Sequence, residues 1–98
     1  METTVTPNPV NVTLPSVLRF RAGNRARVQV SGATVREVIA ALDELAPGMR
    51  FHVCHETGEL RPYVNIFLGP ENIRDLRGLD TPVPAGSTLH ILHSVAGG

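Results

Sequence analysis

"TVREVIAALDELAPG", residues 34–48, is the stretch that decides the fold. Thr34 followed three residues later by Glu37 is a capping-box signature, in which the two side chains satisfy free amides at a helix start. Val35, Val38, Ile39, Leu42 and Ala46 then recur at the helical period and make a single apolar stripe. Arg36, Asp43 and Glu44 take the wet face, and Pro47-Gly48 ends the helix. A helix with one stripe has one face to bury, so the rest of the chain must supply a sheet for it.

Upstream, "VNVTLP" places Val10, Val12 and Leu14 on one side and Asn11 and Thr13 on the other, the alternation of a half-buried strand. "VLRFR" at 17–21 is expected to continue that strand after a bend at Pro15. "AGN" at 22–24 turns the chain. "RARVQVS" at 25–31 alternates again and completes an N-terminal hairpin.

Downstream, "MRFHVCHETGELR" reads as a loose ribbon turning at Thr57-Gly58. "YVNIFLG" at 63–69 is a strand with Val64, Ile66 and Leu68 facing one way. Residues 70–86, "PENIRDLRGLDTPVPAG", are a turn-rich connection with a short helical turn expected near Glu71–Ile73. "STLHILH" at 87–93 is the last strand. No internal repeat or linker divides the chain.

Hairpin, helix, strand, crossover and strand make a two-layer α+β domain, a mixed sheet with one main helix on one face. The simplest arrangement is the ubiquitin-like β-grasp, with first and last strands adjacent at the centre of the sheet. The expected organisation is a flexible lead-in over 1–9, the β-grasp body over 10–94 and a flexible tail over 95–98.

The face away from the helix should be polar, yet Tyr63, Phe67 and Leu92 fall on its parity. An apolar cluster beside a projecting tail marks a candidate docking surface. The alternative is that residues 49–62 or 70–86 fold over it.

Composition excludes several classes. The 98 residues leave no room for a second core, and 42% hydrophobic with 18% charged residues suits an ordinary soluble chain. Nine arginines balance nine acids, with no basic run and few aromatics to stack on bases, so nucleic-acid binding is not expected. Lysine is absent, so the N-terminus is the only amine this chain offers for acylation. Lone Cys54 permits no internal disulfide, and no run approaches a membrane span or signal peptide, so a cytoplasmic location is expected.

His52, Cys54 and His55 lie close together in "HVCH", with His90 and His93 on the last strand. A structural zinc site takes four ligands in paired spacing, which one Cys and scattered His do not provide, so no metal is expected. A Cys-His nucleophile lacks a third orienting residue and an oxyanion loop. Without a catalytic constellation, the chain is not expected to be an enzyme.

Chemistry concentrates instead in the ending "VAGG". Glycines without Cβ let Gly97 and Gly98 enter a narrow channel, with Val95 and Ala96 tapering toward them. Four extended residues reach about 13–14 Å, enough to place the Gly98 carboxylate in another protein's cleft.

From about residue 10 the chain resembles the ThiS/MoaD family of ubiquitin-like sulfur-carrier proteins. The residues that carry the likeness are "VNVTLP", "TVREVIAALDELAPG", "YVNIFLG", "LDTPVPAGSTLHIL" and "VAGG". Within that family it is most similar to the CysO subgroup, which serves cysteine biosynthesis. Ser87 stands where the family usually carries an acid, and Gly69-Pro70 where Asn or Asp is commoner.

The resemblance implies a mechanism. A partner adenylating enzyme, using ATP, converts the Gly98 carboxylate to an acyl-adenylate. Sulfide or a persulfide displaces AMP and leaves a thiocarboxylate, which delivers sulfur to an acceptor. In CysO-like systems that acceptor is an aminoacrylate on a PLP-dependent cysteine synthase, and a metalloprotease releases the product. No cofactor bound to the carrier is implied. Other carriers of the family serve molybdopterin, thiamine or sulfur-containing natural products. A covalent protein modifier is the rival class.

Overall fold

The computed structural model describes residues 8–93, so the tail residues Val95, Ala96, Gly97 and Gly98 lie outside the described residues, as does most of the lead-in. Five strands, β1 (Pro9–Thr13), β2 (Arg27–Ser31), β3 (Val64–Leu68), β4 (Glu71–Asn72) and β5 (Thr88–His93), form one mixed sheet. Their order is β2-β1-β5-β3-β4. β1 pairs antiparallel with β2 and parallel with β5, placing first and last strands side by side at the centre. β3 runs antiparallel to β5 and carries the short edge strand β4.

α1 (Val35–Leu45) covers one face of this sheet. All five stripe residues are buried, against Val10, Val12, Val64, Ile66, Leu89 and Ile91 from the strands. Each such fully buried aliphatic side chain contributes about 1.5–3 kcal/mol relative to exposure. The cap forms with a one-residue offset: Thr34 Oγ1 accepts from the Glu37 amide at 3.2 Å, while Glu37 Oε1 accepts from the Ala33 amide at 2.8 Å. Between β2 and α1, a Cβ on Gly32 would lie 2.8 Å from both the Val38 side chain and its backbone nitrogen, so only glycine lets the chain pass so close.

Three expected segments differ. Residues 17–21 do not continue β1; Ser16–Ala22 is a 3-10 helix. Leu18 and Ala22, four apart, point into the core, while Val17 and Phe20 face solvent. Pro15 starts the turn by accepting from the Leu18 amide at 2.9 Å, and Gly23, at φ 66, closes it.

The ribbon expected after α1 opens instead with a second helix, α2 (Met49–Val53). Asp43, assigned by pattern to the wet face, accepts from the amides of Gly48 at 3.0 Å and Arg50 at 3.1 Å, which gives this helix its first-turn partners. Met49 and Val53 anchor it in the core. Ribbon pairing survives only as the bridge between Cys54 and Leu60 around Thr57-Gly58.

In the crossover, Glu71 and Asn72 are β4 rather than a helical turn, and the turn begins at Ile73–Asp75. A second 3-10 turn spans Gly78–Asp80. The crossover buries Ile73, Thr81 and Val83, and the Thr81 carbonyl accepts from the Val35 amide at 3.1 Å. It therefore packs beside α1. β1 opens at Pro9, and just before it Asn8 Nδ2 donates to the carbonyls of Gly32 and Val83. Among the described residues no helix is long and apolar enough to cross a membrane.

Candidate partner-binding surface

The sheet face opposite α1 begins with the strand that leads to Gly98. β5 lies between β1 and β3, so its alternate residues Thr88, His90 and Leu92 stand at the middle of that face. Leu92 is 48% exposed, too open for a core leucine. It pairs with Asn65, and the next outward pair is Phe67 with His90, so Phe67 and Leu92 are diagonal neighbours. Diagonal pairs on one face come within reach of aromatic and long side chains.

Polar groups frame this apolar centre. His90 Nδ1 lies 2.8 Å from Thr13 Oγ1 on β1. Asn65 Oδ1 accepts from Asn72 Nδ2 at 3.2 Å and from Arg74 Nε at 3.4 Å. An apolar middle with a polar rim is the usual anatomy of a protein-binding patch. Met49, Val53, Ile73 and Val83 of the two long connections turn into the core, the crossover reaches this face only at its edge, through Asn72 and Arg74, and Leu92 stays open.

Tyr63, the third residue of the expected patch, lies just before the first residue of β3. It is half-buried against the core and sets its ring edge on His93 at 4.9 Å between centroids. It therefore lies at the end of β5.

The histidines and the cysteine are dispersed. His52 lies on α2, where Nε2 accepts from Arg21 Nε at 2.9 Å. Burial, and then the charges of Arg21, Arg61 and His93, hold its pKa below the ordinary value. His90 belongs to the outer face and His93 to the end of β5. Among the described residues no three His, Cys, Asp or Glu side chains come together as a metal site would require. Cys54 is buried, and burial pushes its thiol pKa up against the opposing pull of Arg36, Arg50 and Arg61. It lines a cavity of about 250 Å³ with Arg36, Ile39, Ala40, Arg50, Gly58 and Leu79, on the α1 side and away from the patch.

Sequence pattern found Phe67 and Leu92 but missed Phe20, 60% exposed on the first 3-10 helix. The signal was the four-residue spacing of Leu18 and Ala22, which turns Phe20 outward.

This five-strand mixed sheet with a covering helix and paired terminal strands defines a ubiquitin-like β-grasp domain, and solved β-grasp carriers superpose on it. The chain belongs to the ThiS family, which it matches over residues 12–98. It is 34% identical over 91 residues to the sulfur carrier protein CysO of Mycobacterium tuberculosis strain H37Rv, covering 91% of this chain and 98% of that one. A chain of the Amycolatopsis orientalis BexX/CysO complex superposes with a TM-score of 0.85 at 35% identity, covering 91% of this chain and 99% of that one. Small archaeal modifier protein 1 of Methanosarcina acetivorans gives 0.80 at 30% identity, covering 92% and 96%.

Proposed function

We propose that the protein carries sulfur as a thiocarboxylate on Gly98 and is a co-substrate of partner enzymes rather than an enzyme. The observation that supports this best is exposed Leu92 on the strand that leads to "VAGG", diagonal to half-buried Phe67 on its neighbour, in a chain of the ThiS family. A carboxylate is a poor electrophile. An adenylating partner would join it to the α-phosphate of ATP, releasing pyrophosphate and leaving an acyl-adenylate. Sulfide then attacks the acyl carbon, the new C–S bond forms, the C–O bond to AMP breaks, and AMP leaves with the electron pair.

The fold supplies holding rather than chemistry. Ordering residues 95–98 in a cleft costs about 1–2 kcal/mol each, which docking through Phe67 and Leu92 offsets. Held in this way, the carboxylate meets the nucleotide in attack geometry. Similarity to CysO favours cysteine biosynthesis as the destination, with a sulfur-accepting synthase and a releasing metalloprotease as further partners. Molybdopterin, thiamine and natural-product pathways are the other destinations.

Covalent modification of other proteins is the second reading, favoured by the likeness to small archaeal modifier protein 1. Intact-mass analysis of the protein taken from its host, and after incubation with its adenylating enzyme, ATP and sulfide, separates the readings. One sulfur in place of one oxygen at Gly98 is the expected result. Gly98 found in isopeptide linkage to target lysines would instead establish the modifier. A terminus left unchanged in both samples would refute carriage.

A further inference from the structure

The charge of this neutral chain is unevenly distributed. Residues 3–36 hold Arg19, Arg21, Arg25, Arg27 and Arg36 and no acid; Glu37 is the first carboxylate after Glu2. Among the described residues the ion pair is Arg36 with Asp80. Arg19, Arg21, Arg25, Arg61 and Arg74 are instead held by neutral acceptors, so their geometry is set without an ion pair among the described residues.

Three of these cations gather at the end of β5. Arg74 Nη2 donates to the carbonyls of Val64 at 2.7 Å and Arg61 at 2.8 Å, and Val64 is the residue paired with His93. Arg61 Nε donates to the Phe51 carbonyl at 2.8 Å. Arg21 donates to His52 and to the Pro47 carbonyl at 3.1 Å, while its guanidinium lies 5.2 Å over the Phe20 ring. Phe20 in turn meets the His52 ring edge-on at 6.0 Å. The Phe51 carbonyl held by Arg61 belongs to the residue before His52, which closes the circle.

We propose that Phe20, Arg21, Arg61 and Arg74 form a cationic, aromatic collar around the end of β5 that seats on an acidic rim at the entrance of the adenylating enzyme's site. The proposal rests on the carrier reading and adds a second contact to it. Whatever receives Gly98 stands five residues beyond His93, within about 18 Å of extended chain, so its entrance comes within reach of this collar. Complementary charge at such a rim speeds encounter and rejects wrong partners, while the exposed ring supplies an apolar anchor. Hydrogen bonds to carbonyls fix the arginines beforehand, so little side-chain freedom is lost on docking.

The test is the steady-state rate of AMP formation by the adenylating enzyme with ATP, sulfide and increasing carrier, in low and high NaCl. Arg21→Glu and Phe20→Ser should each raise the KM for the carrier roughly tenfold or more with kcat retained. Arg21→Lys should stay close to the parent, because a point charge suffices at the rim. The salt dependence of kcat/KM should be shallower for Arg21→Glu than for the parent. Thermal melting of each variant reports folding independently.

A parent-like KM and salt slope for Arg21→Glu, with the parent normally activated, would overturn the collar and leave carriage standing. Binding of the parent to phosphatidylserine vesicles that is lost in Phe20→Ser, with adenylation unaffected, would also overturn it and assign the surface to membranes. A parent that is never adenylated would refute the carrier reading and the collar with it.

Discussion

Thr13 Oγ1 and His90 Nδ1 lie 2.8 Å apart on the open face of the sheet, tying β1 to β5 across their parallel pairing. Parallel pairs are slightly less stable per residue than antiparallel ones, and this pair holds the strand that leads to Gly98. The bond is half-buried, so its loss is felt. Thr13→Val keeps the side-chain shape and removes the oxygen; it should lower unfolding free energy by about 0.5–1.5 kcal/mol in urea titration. His90→Phe should lose a similar amount. The double variant should lose less than the sum of the two, because both substitutions remove the same contact.

Leu92 is the substitution site that separates docking from folding. Its 48% exposure means an aspartate there meets water in the free protein, whereas against a partner it would bury an unpaired charge. Leu92→Asp should leave the melting temperature nearly unchanged and reduce kcat/KM for adenylation roughly 30-fold or more, the scale of an interface hot spot. Phe67→Asp should reduce it comparably with some loss of stability, since Phe67 is only half-exposed. Normal activation of Leu92→Asp would remove the outer face from the docking account.

Gly32 is held by contact rather than by backbone angle. An added Cβ would lie 2.8 Å from the Val38 nitrogen and 3.0 Å from the Glu37 carbonyl carbon, both backbone atoms of the first helical turn. The turn cannot yield without disturbing the Thr34–Glu37 cap and the Asn8 bond to the Gly32 carbonyl. Gly32→Ala should therefore destabilise the protein by about 1–3 kcal/mol, read as a lower urea midpoint. Combining it with Val38→Ala, which costs stability alone, should lose less than the sum of the two, because Val38 Cγ2 also lies 2.8 Å from the added atom.

These local details show how far the chain could be read before folding. α1 was legible because cap, period and stop agreed at every position, and the central strands because alternation over five or six residues is hard to mistake. The adjacency of β1 and β5 was expected from the β-grasp as the simplest arrangement of this element order, and the structure pairs them. What escaped were short segments whose partners are distant in sequence. "VLRFR" alternates like a strand, yet Leu18 and Ala22 are drawn into the core together and bend it into a 3-10 helix. α2 depends on Asp43, which pattern alone assigns to solvent but which caps a helix five residues on. For the surface, parity located Phe67 and Leu92. The collar was illegible because Arg21, Arg61 and Arg74 are far apart in the chain and meet only through the fold.

Cys54 offers a readout of the opposite, α1-covered side. Its thiol is 6% exposed, and burial raises its pKa despite Arg36, Arg50 and Arg61 nearby. A raised pKa leaves less thiolate at neutral pH, and thiolate is the reactive form. Iodoacetamide should therefore label the native protein far more slowly than a free thiol, and label it fully in urea. The same shift sets a sign for stability. Well below the ordinary thiol pKa of about 8.5, the thiol is protonated in both states and contributes no slope. As the pH rises through that value the unfolded chain loses its proton first, so stability falls toward the native pKa. Cys54→Ala should remove this alkaline component from the urea midpoint while leaving adenylation of Gly98 unchanged. Rapid labelling of the native thiol would show that the cavity beside Arg36 and Arg50 opens to solvent.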